Sequence, residues 1–283
     1  MSQEVTVVDR GDEGYPPLLE TISDPPARLW IRGELGESPG VAIVGTRRAT
    51  RYGLEIARAM GRAVAGAGWT VVSGLARGVD GEAHRGTLEA GGVGVAVLGS
   101  GVDVWYPPEH RSLGEGLIDA GGAVISEFPP GTRPEPWHFP ARNRLISGLS
   151  AVVVVTEAAD RGGALITARL GAEQGREVFA VPGDVVRATS RGTNLLIRDG
   201  AVPVLGPDDL LEAISLVMGP PPLAVRPPGK GGVPELSIPE GGASVEAVVE
   251  ANGGETARVL RVLGRLEMEG RVRIDQGQVT VVG

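Results

Sequence analysis

The chain has 283 residues, enough for one large domain and a small one. It contains no cysteine, which excludes disulfides, thiol nucleophiles and cysteine metal sites, and it has no apolar run of transmembrane length. The net charge of −8 argues against a generally basic, nucleic-acid-coating surface, although it leaves room for a local basic site.

Positive charge is carried almost entirely by arginine, since Lys230 is the sole lysine among 27 basic residues. A G+C-rich genome accounts for that excess, so the placement of the arginines says more than their number. The N-terminal stretch MSQEVTVVDRGDEGYPP lacks a basic segment followed by an apolar one and does not read as a signal peptide. A soluble cytoplasmic protein without a membrane partner is the expectation.

In chain order, YPPLLETISDPPARLWIRGEL (15–35) combines prolines with short apolar runs, so residues 1–38 read as a segment wrapping the core. VAIVG (41–45) then opens an alternation of apolar strands and amphipathic helices. Strand-like runs follow at 69–74, 93–100, 122–128, 151–158, 177–183 and 201–205, with helices at 51–67, 79–90, 108–120, 163–175 and 207–217. Near-continuous β-branched runs separated by helices imply a mostly parallel sheet covered on both faces, and the right-handed crossover rule makes it doubly wound and Rossmann-like.

The turn after the first strand, GTRR (45–48), places Gly45, Thr46, Arg47 and Arg48 before a helix N-terminus, where backbone N–H groups point outward. These arginines, with Arg51, suit phosphate, or they are solvated surface charge. No GxGxxG and no Walker A sequence occurs, which weakens nicotinamide-dinucleotide and P-loop readings. The second turn, SGLARGVDGEAH (73–84), repeats the arrangement with Ser73 and Gly74. Its Asp80 and His84 stand i, i+4 on one helix face, open to a metal or acid–base role or to plain helix stabilisation. Neither a metal site nor a serine triad is assigned there.

The third turn, LGSGVDVWYPPEH (98–110), supplies Gly99, Ser100 and Gly101, and a later one, TEAADRGGALITARL (156–170), sets Gly162 and Gly163 at another helix start. One such turn is weak; a row of them along the same sheet edge makes a row of backbone donors. Between them, PWHFPARNRLISGLS (136–150) puts Trp137, His138 and Phe139 just before Arg142 and Arg144 and an apolar helix. Rings beside arginines suit single-stranded nucleic acid, yet an aromatic plug with arginines paired to Glu127 and Glu135 fits the same spacing.

Residues 218–235 are rich in Pro and Gly and read as a linker. Residues 236–283 read as two or three helices closed by a β-hairpin, a winged-helix-like module. Arg258, Arg261 and Arg265 share one helix face there, but seven acidic residues against five arginines favour a solvated face.

The series VAIVGTRRAT, VVSGLARGVDGEAHRGTLEAGG, VAVLGSGVDVWYPPEH, ISEFPPGTRPEPWHFPARNRLISGLS, GGALITARLGAEQGREVFAVPGDV and GTNLLIRDGAVPV resembles the DNA-processing protein DprA/Smf family over residues 15–215. The resemblance implies a cytoplasmic, non-enzymatic, homodimeric binder of single-stranded DNA. Such a protein protects incoming strands in natural transformation and helps load the RecA recombinase, with double-stranded DNA left open as a second partner. It also implies an extended Rossmann fold, often with a C-terminal winged helix, and no cofactor.

The family's G-[S/T]-R turn points to Arg47, flanked by Arg48, and its F-P-x-R-N-R segment to Phe139, Arg142, Asn143 and Arg144. Gly45, Thr46, Ser73, Gly74, Gly162 and Gly163 complete the implied DNA-binding set. Arg161 stands where many relatives carry a lysine or serine. The competing expectation is an enzyme releasing nucleobases from nucleotides on a related fold. Such enzymes carry a glutamate after a PGGxGT turn, whereas this chain has Ile166 and Thr167 in that region.

Overall fold

A computed structural model describes residues 5–36 and 38–222 and, in the C-terminal part, 236, 238, 243–252, 256, 259, 260, 263, 264, 266, 272–275 and 277–281. The linker stretch 223–235 and the stripe Arg258, Arg261 and Arg265 lie outside the described residues. The chain divides into two compact units, residues 1–227 and 228–283.

The first unit runs β1 (Thr6–Asp9), α1 (Pro17–Glu20), β2 (Arg28–Gly33), β3 (Gly40–Val44), α2 (Arg51–Gly66), β4 (Val71–Ser73), α3 (Val79–Glu89), β5 (Gly94–Val97), α4 (Arg111–Asp119) and β6 (Ala123–Ser126). It continues with α5 (His138–Gly148), β7 (Ser150–Val155), α6 (Gly163–Glu173), β8 (Glu177–Ala180), α7 (Arg191–Arg198), β9 (Val202–Pro203) and α8 (Pro207–Met218). All nine strands form one sheet in the order β1-β2-β6-β5-β4-β3-β7-β8-β9. From β6 to β9 every pairing is parallel, the arrangement expected of uninterrupted Val-rich runs that are buried on both faces.

Side-chain alternation along these strands divides the core. Val41, Ile43, Val71, Val152 and Val154 pack with Met60 and Val64 of α2 and Leu210 and Ile214 of α8. Ala42, Val44, Val72, Val153 and Val155 face the other way, onto Leu145 and Ile146 of α5 and Leu165 and Ala168 of α6. Leu113 and Leu117 of α4 cover Ala96 and Val124.

Two elements differ from the sequence expectation. The N-terminal segment does more than wrap: β2 pairs antiparallel with β6 and β1 antiparallel with β2, so residues 6–33 extend the sheet by two strands. Also, Arg142 and Arg144 do not precede a helix but lie within α5, which starts at His138. Pro140 is tolerated there because the first helical turn does not need its N–H.

In the second unit, β10 (Ala243–Ser244), α9 (Val245–Ala251), β11 (Val272–Asp275) and β12 (Gln278–Val281) are described, with the strands antiparallel in the order β10-β12-β11. The Ser244 side chain caps α9 by accepting from the Ala247 N–H at 3.2 Å. Val248, Val259, Leu263, Val272 and Val279 form its own small core.

Candidate nucleic-acid interface

The chain runs outward from β3 through β4, β5 and β6, then returns to the other side of β3 for β7, β8 and β9. β3 and β7 therefore flank the topological switch point, where open α/β sheets form a crevice beyond their carboxyl ends. A cavity of about 600 Å³ occupies that place. It is lined by the turn after β3 (Gly45, Thr46, Arg47, Arg48), by Phe139, Arg142 and Asn143 of α5, and by Arg161, Gly162 and Gly163 at the start of α6. Ten of the thirteen residues singled out from the sequence thus come together here, although over a hundred positions separate the first from the last.

The turn after β3 is held from below. The Glu157 carboxylate accepts from the Thr50 N–H at 2.8 Å and from the Thr50 hydroxyl at 2.9 Å, and the Glu157 carbonyl accepts from the Thr46 N–H at 2.8 Å. Thr50 in turn caps α2 by accepting from the Gly53 N–H at 3.1 Å. Arg47 and Arg48 are carried on a rigid turn with their side chains exposed. The guanidinium carbon of Arg47 lies 4.7 Å from the centroid of the Phe139 ring, and Tyr106 packs against the same ring at 5.2 Å. The stack Tyr106–Phe139–Arg47 forms one wall.

Half of the described arginines in this unit are engaged by carboxylates, as in the pairs of Arg28 with Asp9, Arg58 with Glu89 and Arg111 with Glu115. Among the described residues Arg47, Arg48 and Arg161 make no ion pair. All three stand at the same cavity. Across from Arg47, α6 begins at Gly162–Gly163 without a side-chain cap, so its first N–H groups and the positive end of its dipole face the opening. A Cβ at Gly162 would meet nothing, and one at Gly163 would reach only the Asn143 amide at 3.8 Å, so the backbone is bare toward the cavity. The Asn143 amide fixes this helix start by donating to the Gly163 carbonyl at 3.2 Å.

Arg142 has a different part. It is 3% exposed and forms the floor, donating to the Gly74 carbonyl at 2.7 Å and to the Val97 carbonyl, the outgoing ends of β4 and β5. Gly74 leaves room for it, since a Cβ there would collide with the guanidinium. Burial lowers the Arg142 pKa to about 10, and the Asp80 carboxylate opposes that shift. Burial raises the Asp80 carboxyl, while Arg142 and the N–H groups of Ala76 and Gly74 hold it down. Asp80 is the sole carboxylate lining the cavity among the described residues, and it is tied to the Gly74 N–H at 3.2 Å. His84, a turn further along α3, is fully buried, and burial lowers its pKa to about 3.

Three expected residues stand elsewhere. Ser73 is buried, its hydroxyl donating to the Ile43 carbonyl at 2.6 Å. Gly74 borders a shallow recess beside the cavity. Arg144 leaves α5 on another side and makes a two-pronged contact with Glu127, both distances 2.6 Å, plus one with Asp24 at 3.0 Å. For that residue the sequence alternative of pairing with Glu127 describes the structure. Tyr106, which lines the cavity and packs against Phe139, was not among the residues singled out from the sequence; only the fold brings it to that ring.

No group of three His, Cys, Asp or Glu side chains able to hold a metal occurs among the described residues. No helix among them is long and apolar enough to cross a membrane.

A doubly wound α/β fold with an arginine-rimmed cavity at its switch point defines a Rossmann-like protein. The profile of the family described as DNA recombination-mediator protein A matches residues 6–215, and the chain belongs to that family. It is 45% identical over 208 residues to the protein Smf of Escherichia coli, covering 73% of this chain and 56% of the relative. It is 38% identical over 215 residues to the DNA processing protein DprA of Bacillus subtilis, covering 75% and 72%. The chain spans 56% and 53% of the lengths of the Smf proteins of Escherichia coli and Synechocystis.

Among solved structures, the DprA of Streptococcus pneumoniae superposes with a TM-score of 0.69 at 38% identity, over 75% of each chain. The DprA of Helicobacter pylori, which is described with a single-stranded DNA binding mode, gives 0.67 at 28% identity over 75% of this chain and 96% of that one.

Proposed function

We propose that this protein binds single-stranded DNA in the cavity between β3 and β7, without catalysing a reaction on it. One observation carries the reading: three exposed arginines without an ion pair, Arg47, Arg48 and Arg161, stand at one cavity with a bare helix N-terminus and an aromatic wall. Phosphates take the arginines and the N–H groups of α6, and a base takes the outer face of the Arg47–Phe139 stack. Arg142 acts from beneath, adding positive field through the floor. Arg144 and Ser73 support the frame and leave the strand to the others. Contacts of this kind go to backbone and ring faces, so binding is largely independent of sequence. The likeness to the Helicobacter pylori protein supports the same ligand.

Membership of the family supports the wider role as well: a cytoplasmic homodimer that shields incoming strands and promotes RecA loading during transformation, with residues 236–283 as a winged helix. The nucleotide-hydrolysing alternative is not favoured. Thr167 lines the cavity and Ile166 is exposed where a catalytic glutamate would be needed, and the buried Asp80 is committed to Arg142 and the Gly74 N–H.

The test is a binding curve for single- and double-stranded oligonucleotides against rising salt, with wild type and Arg47→Glu. The variant is expected to lose at least about tenfold in affinity and to lower the salt slope by about one. Its thermal stability should stay within about 0.5 kcal/mol of wild type, because Arg47 is exposed. Unchanged single-strand affinity in Arg47→Glu rejects the site.

A further inference from the structure

We propose that Trp137 is a second base-stacking platform, outside the cavity, for the nucleotide adjoining the one held there; this rests on the single-strand reading above. Trp137 is 60% exposed, which is unusual for the largest apolar side chain of a folded unit. It is nevertheless fixed. Its indole N–H donates to the Glu135 carboxylate at 2.9 Å, and its ring packs edge-on against His138 at 4.1 Å and Phe128 at 6.0 Å. His138 is buried and anchored through a 3.0 Å contact between its Nδ1 and the Gly99 carbonyl, so the cluster beneath the indole is rigid. The Glu135 contact is made to the indole N–H at the edge of the ring, and the residue as a whole remains largely exposed.

Position ties this ring to the cavity. Pro136, the preceding residue, and Phe139, two residues on, both line the cavity, while Trp137 packs toward Phe128 beyond β6. The N-terminal end of α5, which has no side-chain cap, lies between the two rings. A strand leaving the cavity past Pro136 would set one base against Arg47 and Phe139 and the next on Trp137. The linking phosphate would cross the positive end of α5. Arg133, four residues ahead of Trp137, is exposed and makes no ion pair among the described residues, so it is available to the following phosphate. A pre-ordered exposed ring costs little conformational entropy on binding, which makes it effective for a sequence-tolerant ligand.

The experiment uses the full chain with thymidine 5′-monophosphate as the shorter ligand and an oligothymidylate of about ten residues as the longer, comparing wild type, Trp137→Ala, Trp137→Phe and Arg47→Glu by anisotropy and competition. Trp137→Ala is expected to weaken the longer ligand at least about fivefold and to leave the shorter one unchanged, and Trp137→Phe to restore most of the loss. Intrinsic tryptophan emission of the wild type should fall as the longer strand is added, and Trp137→Phe should remove most of that quench. If Trp137→Ala matches wild type for the longer strand while Arg47→Glu weakens both ligands, the second platform is overturned and the cavity reading stands. If Arg47→Glu leaves both ligands unaffected, the cavity reading fails and takes the platform with it.

Discussion

The guanidinium of Arg142 and the carbonyl of Gly74, 68 residues apart in the chain, are joined at 2.7 Å beneath the cavity. Arg142 also meets the Val97 carbonyl, so one side chain closes the outgoing ends of two neighbouring strands. The expected consequence of Arg142→Met is a loss of about 3–5 kcal/mol in urea unfolding, since two buried carbonyls and Asp80 lose their partner. Adding Asp80→Asn should recover part of that loss. A single variant as stable as wild type would show that the floor does not depend on Arg142.

Two glycines of the cavity separate fold from ligand. At Gly45 a Cβ would press into Val79 and come within 2.9 Å of the Glu157 carbonyl, so Gly45→Ala should destabilise by about 1–3 kcal/mol. At Gly163 the space is open, and an alanine in the first turn of α6 should leave stability unchanged or raise it by up to about 1 kcal/mol. Strand affinity should nevertheless drop severalfold, because the methyl covers the N–H groups of the helix start. Thermal melts paired with anisotropy read both effects, and undiminished binding by Gly163→Ala would place the phosphate elsewhere.

Buried His84 makes stability depend on acidity. Its pKa falls from 6.5 in the unfolded chain to about 3 in the folded protein. Below pH 6.5 the unfolded state gains a proton that the folded state refuses, so stability declines on acidification across the window from about 6.5 to about 3. Asp80, with a raised pKa, contributes the opposite slope, but it is present in both proteins of the comparison and cancels. Between pH 7 and pH 5 wild type should lose about 2 kcal/mol more than His84→Leu in urea unfolding. Equal losses would mean that His84 is protonated in the fold.

The parallel half of the sheet is legible because strands buried on both faces must be apolar at every position, as SAVVVV is in β7. β1 and β2 escaped the same logic. They sit at the sheet's margin with alternating or half-exposed side chains, and the prolines between them read as loop. The site was legible as a set of strand-end turns, since their chemistry is local. What each arginine does was not, because Arg142, Arg144 and Arg47 differ only in what the fold places opposite them. Strand carbonyls face the first, a carboxylate pair the second and an aromatic ring the third. For Trp137 the spacing fitted both a stacking ring and an aromatic plug, and only the fold shows it largely exposed and edge-on to Phe128 and His138.

The switch point between β3 and β7 also bears on folding. Its walls come from the end of the first parallel strand, at Val44, and from helices that start far along the chain, at His138 and Gly163, joined through the β3–β7 pairing. No hairpin or isolated βαβ unit of this chain contains the cavity, so loop-closure entropy must be met across the whole central sheet before it exists. Strand binding will therefore appear late during refolding, after helix formation and collapse. A bound strand will protect the central strands from amide exchange as one cooperative block.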